Sequence, residues 1–286
     1  MRGISEIDAK SSWSIITGIP KKLLGSTQGS FRFCDAEEIS VEFKNSGSEW
    51  TGSIPISSNG LHILQLYGPL ALKDEWIIGQ IGQSLDGKIA TERGDSYYVT
   101  GKEDLLRLHR VRAIADAVIV GADTVLLDDP RLTVRRISGS NPARVILDPQ
   151  RRIKCDKRVL NDQSARTIVI HDKNSDSQEA STNYESVGLD CCEVGGFDLK
   201  NLVGVLRERG LRRILVEGGG MTVSRFFQAE LFDRIHVTVA PMIIGSGRPS
   251  FHLPAIDSLA EAVRPACRRF ELGDDVLFDL DLKIRN

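Results

Sequence analysis

The chain has 286 residues, 41% of them hydrophobic and 27% charged, with a formal net charge of -2. That length fits one large globular domain, alone or with an extension, able to bury a full core without disulfides or structural metal. The near-neutral balance argues against nucleic acid or a membrane surface as a partner, because both usually select a marked basic excess. The five cysteines, Cys34, Cys155, Cys191, Cys192 and Cys267, form no C-x-x-C pair, and their scatter fits a reducing compartment. Cys191 and Cys192, in the apolar-leaning run 189–194, read as packing residues. The amino terminus lacks a basic-then-apolar signal pattern, and no apolar run approaches the roughly 20 residues of a membrane helix. A cytoplasmic protein is expected.

In chain order, residues 1–73 are rich in Ser and Gly, with short β-like pieces at Phe31–Cys34, Ile39–Phe43 and Leu61–Tyr67. They read as an amino-terminal extension, with Gly68-Pro69 as a punctuating pair near its end. Residues 74–286 form the second region. There Trp76–Ile81 predicts a strand, and Lys102–Ile114 an amphipathic helix with Leu105, Leu108 and Val111 at helical spacing. Strands are expected at Ala117–Val120, Ala143–Leu147, Thr167–Ile170, Ile214–Val216 and Ile235–Ala240. Helices are expected at Leu199–Arg209 and Met221–Ala229, and a closing strand pair within Phe270–Leu282. Such alternation implies an α/β fold with a mostly parallel sheet covered on both faces.

Three expected strands end in residues suited to binding: Gly121, Asp123 and Thr124 after the first, Asp148 with Arg151 and Arg152 after the second, and Glu217-Gly218-Gly219-Gly220 after the third. A parallel sheet brings these ends to one rim, where ligands bind in open α/β sheets. The glycine run is either a tight strand-to-helix turn or a phosphate cradle beneath helix N-terminal amides. It is not the G-x-G-x-x-G fingerprint. Glu217 is either an exposed turn residue or a carboxylate aimed into the crevice. The charged run Leu126–Arg136 offers Asp128, Asp129, Arg131, Arg135 and Arg136, and Arg112 reads as a surface residue on its helix. The five histidines show no metal-ligand spacing and no Ser/His/Asp arrangement. A bound cofactor carrying the chemistry is the economical expectation.

Five motifs stand in order: G-Q-S-L-D-G-K-I-A-T (82–91), D-A-V-I-V-G-A-D-T-V (116–125), D-D-P-R-L-T-V-R (128–135), V-E-G-G-G (216–220) and A-P-M-I-I-G (240–245). Together they resemble the riboflavin-biosynthesis pyrimidine reductase domain, in many bacteria the carboxy-terminal half of a bifunctional deaminase/reductase. The zinc signature of the deaminase half is absent, so a stand-alone reductase is expected. The resemblance implies a dihydrofolate-reductase-like three-layer fold, with a mostly parallel central sheet and an antiparallel C-terminal edge. It also implies NADPH as cofactor, a homodimer, and reduction of a phosphorylated ribosylaminopyrimidine from ribosyl to ribityl.

Carried over residue by residue, the resemblance places substrate at Ser96, Arg112, Leu132, Arg135 and Glu217, with the arginines on the 5′-phosphate. Cofactor falls to Gly82, Ser84, Tyr98, Thr124, Asp128, Gly218, Gly219 and Gly220, with Arg151 and Arg152 near the 2′-phosphate on strand-end grounds. Glu217, Asp128 and Gln80 are the catalytic candidates. Gln80 stands where the family commonly has Lys, and glutamine supplies neither positive charge nor a proton at neutral pH. An NADPH-dependent reductase of another heterocycle, such as a pterin, and a non-catalytic nucleotide-binding protein are the alternative readings.

Overall fold

The computed structural model describes residues 5–34, 38–97, 99–175, 183–191 and 196–285. It contains two compact units, Met1–Trp76 and Ile77–Asn286. In the first, β1 (Gly29–Cys34), β2 (Glu38–Lys44) and β3 (Glu49–Gly52) form an antiparallel sheet in that order. Two helices accompany it, α1 (Ala9–Thr17) and α2 (Ser58–Ala71). Trp13 of α1 meets Tyr67 of α2 edge to face, with ring centroids 5.5 Å apart.

The β-like reading of Leu61–Tyr67 is overturned, because this stretch is the middle of α2. Ser57 caps the helix by accepting from the Gly60 N–H, and Ile63, Leu64, Tyr67, Leu70 and Ala71 then bury a helical stripe. Gly68-Pro69 is likewise inside α2 rather than at a boundary. Gly68 is needed for packing, since a Cβ there would lie 2.8 Å from the Gly47 carbonyl oxygen and from the Trp50 ring.

The second unit contains β4 (Trp76–Ser84), β5 (Lys88–Thr91), α3 (Lys102–Ile114), β6 (Ala117–Gly121), α4 (Ala122–Asp128), β7 (Ala143–Leu147), α5 (Arg158–Asn161) and β8 (Thr167–Asp172). It continues with β9 (Glu185–Leu189), α6 (Leu199–Glu208), β10 (Arg213–Glu217), α7 (Gly220–Gln228), β11 (Arg234–Ala240), β12 (Gly247–Pro249), β13 (Pro265–Leu272) and β14 (Asp275–Arg285). Nine strands make the central sheet in the order β13-β14-β11-β4-β10-β6-β7-β8-β9. The run β10-β6-β7-β8-β9 is parallel, and β11 is parallel to β4. β14 pairs antiparallel with β11, and β13 with β14, giving the expected antiparallel edge.

One sheet face carries Ile77, Ile81, Ile119, Val145, Ile168, Ile214 and Val216 against Leu202, Val203 and Leu206 of α6 and Val223 and Phe226 of α7. Each such side chain contributes roughly 1.5–3 kcal/mol on burial. Helix α3 serves the other face, reaching Gln80 of β4 and His236 of β11 through Arg107. Its buried stripe is not the leucine stripe expected from sequence. Asp104, Arg107, His109, Val111, Arg112 and Ile114 are buried, while Leu105 and Leu108 are only half-buried.

The antiparallel edge is tied by a buried carboxylate. Asp279 of β14 accepts from Arg234 Nη1 at 2.7 Å on both oxygens and from Arg268 Nη2 at 2.6 Å. Burial alone would raise its pKa, but His236, Arg234 and Arg268 outweigh that and hold it well below the usual carboxylate range. Removing the carboxylate takes the shared acceptor from Arg268 and Arg234, leaving Arg234 only its Asp281 partner, and leaves an uncompensated gap in the buried edge. Asp279→Ala is expected to lower the unfolding free energy by about 3–5 kcal/mol in urea titrations, with the circular-dichroism spectrum of the residual folded state unchanged.

Candidate active site

The carboxyl ends of β6, β7, β8 and β10 open onto one cavity of about 1580 Å³, lined there by Val120 and Gly121, Leu147, Asp172, and Glu217 with Gly218, Gly219 and Gly220. The in-register parallel pairing of β10, β6, β7 and β8 is what aligns these ends. The structure thus brings together all three turns singled out from sequence. Asp148, by contrast, is a buried turn lock, its carboxylate accepting from the backbone N–H of Arg152 at 3.0 Å and of Ile153 at 2.8 Å.

The three glycines differ in what they are for. A Cβ on Gly220 would lie 2.6 Å from the Pro249 oxygen and 2.7 Å from the Ser250 oxygen, so the backbone beyond β12 packs directly on the start of α7. A Cβ on Gly219 would meet nothing within 4 Å. Gly219 is the N-cap of α7, with extended backbone and no side chain to cover the first helical amides. Gly220 is therefore required by packing, while Gly219 leaves the mouth of the helix open to the cavity.

Glu217, at the end of β10, is buried and held bidentately by Arg112 of α3, with Nε to Oε1 at 2.6 Å and Nη2 to Oε2 at 2.5 Å. Arg112 Nη1 also donates to the Thr133 carbonyl at 3.3 Å. Arg112 is thus a buried partner of Glu217 rather than a surface residue, and both line the cavity. The loop after α4 follows from this anchor. Asp129 and Leu132 have left-handed backbone, φ 41° and 55°, which costs a non-glycine residue energy and must be imposed by its contacts. Leu132 is thereby buried as cavity wall. His109 Nδ1 accepts from the Arg135 N–H at 3.0 Å, fixing the far side of the loop.

Asp128 and Ser96 face the same cavity. Burial pushes the Asp128 carboxyl up from its ordinary value, against the opposing influence of Ser96 and Arg248. Gln80, Gly82 and Thr124 also line the cavity. Gly82 is glycine for packing as well, since a Cβ there would lie 2.7 Å from Thr100.

Three sequence candidates are placed otherwise. Ser84 is fully buried, bonding Asp86 at 2.5 Å and accepting from the Lys88 N–H, and is not part of the cavity lining. Arg151 turns to His171 and Ser175 outside the lining, whereas Arg152 lines the cavity and pairs with Asp123 at 2.8 Å. Arg135 lies outside the lining, its guanidinium on Thr133 Oγ1 at 2.7 Å. Burial, then neighbouring Arg112, Arg131 and Arg136, pulls its pKa down, which marks a local concentration of positive charge. Tyr98 falls outside the described residues.

Two residues not singled out from sequence belong to the site. Arg248 of β12 lines the cavity beside Asp128, and its only sequence signal is a lone arginine soon after the A-P-M-I-I-G motif. Arg107 of α3 donates to Gln80 Oε1 from beneath the cavity, and its signal was hidden in a helix read as leucine-packed.

The RibD C-terminal domain is the family whose sequence model matches this chain, over residues 75–274. A riboflavin biosynthesis protein RibD from Aquifex aeolicus is 39% identical over 197 residues, 68% of this chain and 54% of that protein. A 2,5-diamino-6-ribosylamino-4(3H)-pyrimidinone 5′-phosphate reductase from Methanothermobacter thermautotrophicus is 35% identical over 215 residues, 73% of this chain and 98% of that protein. The chain therefore spans about half the length of the RibD relative and nearly all of the shorter reductase. Among solved structures, the Thermotoga maritima diaminohydroxyphosphoribosylaminopyrimidine deaminase/5-amino-6-(5-phosphoribosylamino)uracil reductase superposes with a TM-score of 0.64 at 27% identity, over 80% of this chain and 64% of that one.

Two outcomes follow from the local geometry. Gly220→Ala is expected to cost about 1–3 kcal/mol of stability through overpacking, whereas Gly219→Ala changes it by less than about 1 kcal/mol, compared by urea denaturation. His109 is pushed down to about 4 by burial, then by Arg112, Arg135 and Arg136. A neutral imidazole in the fold and a protonated one in the unfolded chain make stability full above pH 6.5 and lost as pH falls towards 4. His109→Gln should flatten stability against pH across that window, measured by denaturant midpoints.

Proposed function

The chain belongs to the RibD C-terminal domain family, and on that premise we propose that residues 74–286 form an NADPH-dependent reductase. Its substrate is a 5′-phosphorylated ribosylaminopyrimidine, converted from ribosyl to ribityl. The observation that carries this reading is the convergence of Glu217, Asp128, Ser96, Leu132 and the open Gly219 turn on one cavity large enough for a dinucleotide and a sugar phosphate together. A homodimer acting in the cytoplasm, with no nucleic-acid or membrane partner, belongs to the same proposal. Among the described residues, no helix is long and apolar enough to cross a membrane.

The Gly219 turn fits a pyrophosphate, because an added side chain would meet only open space and the N-terminal amides of α7 lie behind it. Gly218, Gly219, Gly220, Thr124 and Gly82 would hold the cofactor, with Arg152 towards its 2′-phosphate. When bound, NADPH supplies a hydride to C1′ of the ring-opened ribosylamine, which with one proton becomes the ribityl amine.

The remaining work falls to the chain's own side chains. Glu217, immobilised by Arg112, presents fixed acceptor lone pairs for sugar hydroxyls. The positive potential around Arg135, Arg131 and Arg136 favours the 5′-phosphate end. Leu132 excludes water from one wall. Asp128, with its carboxyl pushed towards the protonated form, delivers the proton, and Ser96 orients it.

NADPH oxidation should be seen with 5-amino-6-(5-phosphoribosylamino)uracil and not with dihydrofolate; the reverse preference would overturn the reading. Asp128→Asn is expected to lower kcat by about 100-fold or more while leaving the NADPH Kd within about twofold. With Asp128 as proton donor, wild-type kcat falls as pH rises through its raised pKa, and the variant loses that dependence.

A further inference from the structure

Arg107 is 1% exposed, yet no part of the reaction above uses it. A buried guanidinium is expensive unless each arm is met, and here each is. Nε donates to Asp104 Oδ1 at 2.7 Å, Nη1 lies 3.0 Å from His236 Nδ1, and Nη2 donates to Gln80 Oε1. Asp104 is fixed in turn by Thr238 Oγ1 at 2.8 Å, and His236 and Gln80 are cross-strand partners in the β11–β4 register.

A guanidinium only donates, which settles two orientations. His236 Nδ1 must accept, leaving its proton on Nε2, 3.5 Å from Asp279 Oδ1. Gln80 must turn its carbonyl oxygen to Arg107, so its NH2 group points away from the guanidinium. Gln80 lines the cavity. A flipped amide would set N–H against N–H in a buried position.

We infer that Arg107 is a positioning residue that locks the Gln80 carboxamide as a pure hydrogen-bond donor to the substrate, so that the site at Gln80 selects a carbonyl, hydroxyl or anionic oxygen and rejects a donor group. The cation behind the amide polarises it and strengthens its N–H groups. The inference deepens the proposed reductase reading and rests on it for the identity of the acceptor.

The test is a double-mutant cycle on kcat/KM for 5-amino-6-(5-phosphoribosylamino)uracil. Gln80→Glu keeps a partner for Arg107 but removes the donors. It should lower kcat/KM by about 30-fold with the NADPH Kd unchanged. Arg107→Lys cannot span Asp104, His236 and Gln80 at once. The Gln80→Ala/Arg107→Lys double variant should be no worse than Gln80→Ala alone. Additive losses, or wild-type activity in Gln80→Glu, overturn the inference. A substrate-free readout separates it from the functional reading. Nitrogen-15 relaxation of the Gln80 side-chain amide, assigned by difference from Gln80→Ala, should report a rigid group in wild type and a mobile one in Arg107→Lys. Mobility in both overturns the lock even if the enzyme turns over, while a rigid amide in an enzyme inactive on this acceptor overturns the functional reading alone.

Discussion

Helix α3 is the constraint on which the rest of the second unit depends, because its buried face is charged. Asp104, Arg107 and Arg112 recur near helical spacing along the side that meets the sheet. Each would cost several kcal/mol if left unmatched in the interior. Matching them is a positional demand: Arg107 needs β4 and β11 beneath it, and Arg112 needs the carboxyl end of β10. An apolar stripe would tolerate sliding by a residue. The Arg107 hydrogen bonds and the Arg112–Glu217 ion pair do not, and they set the helix against the rim where the cavity opens.

From that placement the shape of the cavity follows. Arg112 fixes Glu217 and, through the Thr133 carbonyl, the loop whose strained Leu132 forms a wall. His109, one turn back on the same helix, holds the Arg135 amide and keeps that loop from relaxing. The adjoining turn is made differently, by backbone packed on backbone at Gly220, with open space at Gly219. Glu217 and the Leu132 loop are therefore held through charge and the start of α7 through close contact, with Gly219 left open between them.

The sequence made β6, β7, β8 and β10 legible because each is a short apolar run followed closely by glycine or a carboxylate, whereas the parallel strand β9, Glu185–Leu189, is too mixed in composition to announce itself. The convergence of their ends followed from topology alone. Leu61–Tyr67 was misread because Leu-His-Ile-Leu-Gln-Leu-Tyr alternates well enough for a strand, and the Ser57 cap that starts the helix lies outside the run. Helix α3 was found, Val111 included, but the charged side chains that make up most of its buried face were not, since a buried ion pair leaves no periodic apolar signal. Arg248 was missed for a related reason, as its role depends on a strand pairing between distant segments, β12 with β5, that no local pattern announces. Ser84 illustrates the converse: a residue within a recognisable motif can serve the turn that carries the site rather than the cavity itself.

Gln80 shows why the identity of a single side chain is a poor guide to the electrostatics it presents. Glutamine where a lysine is common looks like a lost charge. In the fold, a guanidinium sits directly behind the amide, its Nη2 on the Gln80 oxygen and its Nε on Asp104. A lysine in a cavity changes its charge with burial and with pH, because its pKa shifts readily. A guanidinium remains charged, and the amide in front of it carries that polarity to the surface without titrating. Moving the charge one group back thus exchanges a proton-bearing contact for a pH-insensitive donor, which constrains any proton needed by the chemistry to come from elsewhere around the cavity, where Asp128 is the group whose surroundings favour holding one.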